Sequence, residues 1–242
     1  MNDGQRQFAR RSPSENRVVH IAGEFDTRYR FSSNIPDAPE YHLQMLSLDR
    51  WSANVNRVAS RKPALRKEFG RLFIAVVAYV EEAGWAGACH ATSAVMHLLL
   101  GNLRIPSAVC IGEAALGSIP FDHSWIESAG EVYDAAICST QYRELNEPPT
   151  FRGINLQTLE PAHVRYGITS GQPPGIDALQ ILNMPFKQFL WGFPGHPEGL
   201  WGIAQIIGMR IGLKVDTAEL RELHGNTTWT SRYRGLPARN AI

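Results

Sequence analysis

The sequence predicts an α+β domain in which a helix opening at Cys89 packs on an antiparallel sheet bearing His123 and Asp134. Three observations carry that prediction. Ala91, Ala94, Val95, Leu98 and Leu99 recur at helical spacing directly after the small residues Gly87 and Ala88. Residues 122–127 and 131–137 are short β-prone runs. Ser128, Ala129 and Gly130 join them, and a glycine there accepts the positive φ of a tight turn.

Composition bounds the rest. The chain has 242 residues, 44% of them hydrophobic, enough for a sizeable core. Its 24 basic and 23 acidic side chains leave a formal net charge of +1. That balance offers no whole-chain attraction to nucleic acid or to an anionic membrane, so neither is expected as a partner. Three cysteines, Cys89, Cys110 and Cys138, do not make a disulfide framework in a chain this long, and a cytoplasmic, reducing setting is expected. The longest uninterrupted apolar run, residues 72–80, has nine residues, against about 20 for a spanning helix.

Residues 1–17 hold Arg6, Arg10, Arg11 and Arg17 among polar residues and read as a disordered tail. Residues 18–22 read as an edge strand, 28–39 as a turn-rich stretch and 41–58 as a helix. Residues 60–82 are the clearest early helix, with Ser60 as N-cap, Pro63 in the first turn and Gly84 as the left-handed stop. The Cys89 helix is expected to end at Gly101-Asn102, followed by a strand over 105–112 and a loop over 114–120. A helix is expected over 200–213, with Gly208 and Gly212 permitting close packing, and a capped helix opens at Asp216. Residues 226–242 read as a loose end. The chain thus divides into the tail, a core over 18–145, and an extension over 146–242 that wraps the core and shapes a cleft.

The chemistry lies in the core. Free N–H groups and the positive end of the helix at Cys89 stabilise an anion, which favours a thiolate. An imidazole can take the thiol proton, and a carboxylate on the other ring nitrogen fixes the tautomer. Cys89, His123 and Asp134 are the residue types for nucleophile, base and orienter. A two-residue turn of Ser128 and Ala129 places His123 opposite Asp134, with Trp125 and Glu127 on the same face, whereas a three-residue turn needs a bulge at Gly130 to restore that parity. The Cys89 backbone N–H is one donor for a tetrahedral oxyanion. Trp85 is the candidate for a second, and Trp85 and Trp125 are the candidate substrate contacts. His90 and His97 share a helix face, but no carboxylate or cysteine spacing makes them zinc ligands. Cys110, Cys138 and the aromatics of 186–201 are read as packing, and His196 as a loop residue. No cofactor or metal is expected.

The run Cys89, then His123-Ser124-Trp125-Ile126-Glu127, then Gly130-Glu131-Val132-Tyr133-Asp134 resembles the transglutaminase-like branch of the papain-like thiol enzymes. Residues 111–113 and 120–125 are also similar to the lasso-peptide leader-processing proteases of that superfamily. The resemblance covers roughly residues 69–137. It implies a papain-like core, with Cys89 as nucleophile, His123 as general base and acid, and Asp134 as orienter. The function expected is a cysteine hydrolase acting on a peptide or protein through a thioester. The alternatives are an acyltransferase with an amine acceptor and an inactive binding protein on the same fold.

Overall fold

The computed structural model describes residues 38–60 and 67–233. The expected tail, the edge strand over 18–22, Pro63 and residues 234–242 lie outside the described residues.

The first three helices are α1 (Ala38–Ser60), α2 (Lys67–Glu82) and α3 (Cys89–Asn102). Ser60 does not cap α2: it closes α1, where its Oγ donates to the Arg57 carbonyl at 2.9 Å. The apolar positions of α2 — Phe69, Leu72, Phe73, Val76, Val77 and Val80 — are all buried. Gly84 takes φ 62° and ends the helix run, as its sequence position predicts. In α3, residues 90–96 and 98–100 are buried, so apolar burial goes all round the helix rather than along one stripe. A helix of this kind sits at the centre of a fold. It packs against α2 and α6 (Gly199–Arg210) and against two strands.

Those strands are β1 (Ala108–Leu116) and β2 (Ile119–Ser128), antiparallel from Ala108↔Glu127 to Leu116↔Ile119. The loop expected over 114–120 is therefore a two-residue turn at Gly117-Ser118. Ala114 and Ala115 are poor strand formers, but pairing on both sides, with β2 and with β6 (Val164–Tyr166), overrides that preference. Next comes β3 (Glu131–Asp134), with Ser128 opposite Glu131. The turn is Ala129-Gly130, with φ 50° and 76°, the positive pair that a two-residue hairpin favours. Relative to the expected turn, the register moves by two residues. An even shift preserves side-chain parity, so His123 and Asp134 still share a face, now on a diagonal. The strand stops at Asp134 because its Oδ1 accepts from the N–H groups of Ala136 and Ile137, at 2.9 and 3.1 Å, and turns the chain.

The extension then travels along the sheet. Strands β4 (Thr150–Phe151) and β5 (Ile154–Asn155) continue it beyond β3, whereas β6 lies on the far side of β1, giving the order β5-β4-β3-β2-β1-β6. Three helices follow β6: α4 (Ile176–Asn183), α5 (Phe186–Trp191) and α6, and then α7 (Thr217–His224). Asp216 caps α7 through its carboxylate to Ala218 and Glu219 N–H, as its sequence pattern predicts. Residues 226–233 are not a loose end. β7 (Thr230–Ser231) pairs parallel with β1, and Arg232 Nε donates to Glu127 at 2.8 Å. The main core gathers α2, α3 and α6 around Leu72, Phe73, Leu98, Leu99, Ile126 and Trp201. Among the described residues, no helix is long and apolar enough to cross a membrane.

Two glycines test the backbone argument. A Cβ on Gly199 falls on the Leu190 carbonyl oxygen at φ 55°, whereas one on Gly130 meets open space at φ 76°. Gly130→Ala is expected to cost about 1 kcal/mol for the left-handed backbone alone. Gly199→Ala adds a clash with fixed backbone and should cost at least about 2 kcal/mol. Urea unfolding midpoints check the order.

Candidate functional site

Cys89 is the first residue of α3 and is partly exposed. Its predecessor Ala88 supplies no side-chain cap, and the N–H of Thr92 is the first to reach back, to the Ala88 carbonyl at 2.9 Å. The N–H groups of Cys89, His90 and Ala91 precede that first helical bond and carry the positive end of the helix. Just upstream, the Gly87 N–H donates to the Ser139 carbonyl at 2.8 Å. That bond joins the approach to Cys89 to the turn that follows Asp134.

His123 comes from β2 and is 3% exposed. Its Nε2 shares a 2.7 Å hydrogen bond with Asp134 Oδ2. That leaves Nδ1 as the second ring nitrogen, and the Cys89 sulfur lies near enough to the ring to favour its charged form. Burial by itself opposes a charge on the ring. The negative Asp134 and the Cys89 sulfur, with their hydrogen bonds, outweigh it and raise the imidazole to about 10.

Asp134 is 1% exposed, yet both oxygens are satisfied. Oδ1 accepts the two backbone N–H groups of its own turn. Oδ2 accepts from His123 and, at 2.9 Å, from the Tyr166 hydroxyl. Tyr166 stands on β6, three strands from β3 in the sheet order. In a flat sheet that is about 14 Å, beyond the reach of a tyrosine, so the contact requires the sheet to curl. The sequence holds no local signal for Tyr166, because its partner is set by that curl.

Cys89 and His123 line a cleft of about 850 Å³, and Asp134 is buried behind the His123 ring. Its walls come from four segments: the approach to Cys89, the start of β2, the turn after Asp134 and the start of α4. The extension thus supplies a wall, through Gly175, Ile176 and Asp177. Asp122 points away from His123, as strand alternation predicts, and its Oδ2 accepts from the Gly175 N–H at 2.7 Å, fixing that wall.

The two tryptophans are elsewhere. Trp85 is 5% exposed and packs between Tyr79 and Phe193, with centroids 5.2 and 5.1 Å away. Trp125 is fully buried, its ring 5.2 Å from Tyr166 and its Nε1 donating to Glu127 Oε1 at 3.1 Å. Neither lines the cleft, so neither is a substrate contact or a second oxyanion donor; Trp125 braces the tyrosine that holds Asp134. His97 binds Ser107 Oγ at 2.9 Å, and His196 Nδ1 accepts from Glu198 N–H in its loop. Cys110 is buried, and burial pushes its thiol up to about 12. Cys138 is likewise driven upward by burial. Phe186, Phe193 and Trp201 are core residues. Sequence reasoning missed Tyr166 and gave His90 no place in the cleft that it lines.

This arrangement can pair an imidazolium with a sulfur anion at a helix end, beside open space. No protein-family model matches the chain, and neither a curated protein nor a solved structure does.

Two outcomes follow from the Asp134 contacts. A histidine whose folded-state pKa lies above its unfolded value stabilises the fold fully below the unfolded value and loses that contribution as pH rises through the folded one. Stability should therefore decline between about pH 6.5 and about pH 10, and less steeply in Asp134→Asn. Denaturant midpoints across that range measure it. Tyr166→Phe strips one donor from a buried carboxylate and should cost about 1.5–3 kcal/mol without changing the fold.

Proposed function

We propose that this protein is a cysteine hydrolase of papain-like architecture, in the transglutaminase-like branch, cleaving an amide, peptide or isopeptide bond through a Cys89 thioester. One observation carries the reading. Cys89 opens α3 at the edge of the cleft, and the His123 ring beside it is held on Asp134 at 2.7 Å. Free thiols at all three cysteines fit the reducing compartment that the reading assumes.

The chemistry follows from the contacts. The Cys89 sulfur anion attacks the carbonyl carbon, and the carbonyl π pair moves to oxygen. The Cys89 N–H at the helix start stabilises that oxyanion. His123 then gives its proton to the departing amine, and the C–N bond breaks to leave the thioester. The same imidazole takes a proton from water as the water attacks, and the thiolate leaves. Asp134 fixes the ring and supports its charge through the 2.7 Å bond to Nε2. A cleft of about 850 Å³ lies near the upper end of ligand-site volumes, room for residues on both sides of a scissile bond. That room supports a peptide or protein as the substrate class.

The test is acylation by p-nitrophenyl acetate together with alkylation by iodoacetamide. Wild type should release a stoichiometric burst of p-nitrophenolate that Cys89→Ala abolishes. His123→Ala should slow alkylation at pH 7 by at least about 10-fold, since the thiol loses its proton acceptor. A burst that survives Cys89→Ala, or an alkylation rate indifferent to His123, sinks the reading and leaves a binding protein. Adding a primary amine tells hydrolysis from acyl transfer by whether the acetyl group ends on water or on the amine.

A further inference from the structure

We propose that the His90 imidazole is the second oxyanion donor of this site, its Nε2–H acting with the Cys89 backbone N–H on the oxygen of the tetrahedral intermediate. The inference rests on the thioester reading above.

His90 follows Cys89 on the first turn of α3 and lines the same cleft as Cys89 and His123. The residue is 8% exposed, so its ring reaches the cleft by an edge. The other edge is accounted for: Nδ1 lies 2.5 Å from Ser124 Oγ, and Ser124 is fully buried. Nε2 is the ring nitrogen that this contact leaves over, and we place it toward the cleft that His90 lines. Trp229 packs edge-on against the ring, with centroids 5.9 Å apart and planes at 83°, and is itself backed by Phe186 and Phe189. Ring position is thus fixed from two sides.

A neutral imidazole has one N–H, and its neighbour decides where. Burial, and then the charge of His123 nearby, drive the His90 imidazole down to about 3, so it stays neutral while His123 is charged. We assign the Ser124 hydroxyl as the donor to Nδ1, which leaves the ring proton on Nε2. A neutral N–H donor suits the site: it stabilises the oxyanion without setting a second cation beside His123. Ser124 lies on β2 between His123 and Trp125, so the strand that presents the base also orients the donor.

Acylation and alkylation separate this role from a structural one. Attack of the Cys89 thiolate on p-nitrophenyl acetate forms a C–S bond and moves the carbonyl pair to oxygen. Collapse of that oxyanion expels p-nitrophenolate. Attack on iodoacetamide displaces iodide at a saturated carbon and forms no oxyanion. His90→Ala should therefore slow acylation by about 100-fold or more, with alkylation within about two-fold of wild type. His90→Gln, which keeps an N–H donor, should recover part of the acylation rate. Ser124→Ala, which frees the tautomer, should slow acylation and spare alkylation. The proposal is overturned if acylation is unchanged in His90→Ala, or if both reactions fall together in His90→Ala and Ser124→Ala. A wild type with no Cys89-dependent burst overturns the thioester reading and this inference with it. A Cys89-dependent burst that is as fast in His90→Ala as in wild type overturns this inference alone.

Discussion

The Asp134 carboxylate is the point on which the site is built. A buried carboxylate is tolerable when its lone pairs are filled, and here four donors fill them: two backbone N–H groups, the Tyr166 hydroxyl and His123 Nε2. Each donor fixes a different part of the structure. The N–H groups end β3 and start the turn whose far end holds Gly87, just before Cys89. Tyr166 ties β6 across the curled sheet. His123 is held by Nε2, which leaves Nδ1 directed away from the carboxylate.

Around that anchor, two faces of one strand do different work. On one, His123, Trp125 and Glu127 form a column that ends in the Glu127–Arg232 ion pair. On the other, Ser124 supports His90 and Asp122 holds the Gly175 N–H at the entry to α4. Alternation along β2 therefore positions His123, the support of His90 and a cleft wall together. The extension after residue 145 is integral to this arrangement, since Tyr166, Gly175, Trp229 and Arg232 all belong to it.

Local rules served best where the interacting groups are close in the chain. The small residues before Cys89 and the apolar positions after it placed the helix start within a residue. Gly130 placed the hairpin, and although the turn formed one residue later than expected, parity kept His123 and Asp134 on one face. Asp216 marked a helix start by its own side chain. The failures are of another kind. Ser60 looked like a cap, yet nothing within its neighbours says whether a helix ends or begins there. Residues 114–116 looked like a loop because alanine has little strand preference, and pairing on both sides outweighed it. Residues 226–233 looked loose because their partners, β1 and Glu127, are a hundred residues away.

By itself the sequence determined the chemistry available and its local framing: a thiol at a helix tip, an imidazole and a carboxylate on paired strands, and the parity that sets those two side by side. Those features depend on contacts within a turn or a hairpin, where spacing fixes geometry. Only the tertiary structure decided that Tyr166 completes the carboxylate, that His90 reaches the cleft while Trp85 and Trp125 do not, and that α4 forms a wall. Each depends on the curl of the sheet and the path of the extension, which sum many weak packing terms across the chain and leave no mark in any short stretch of residues.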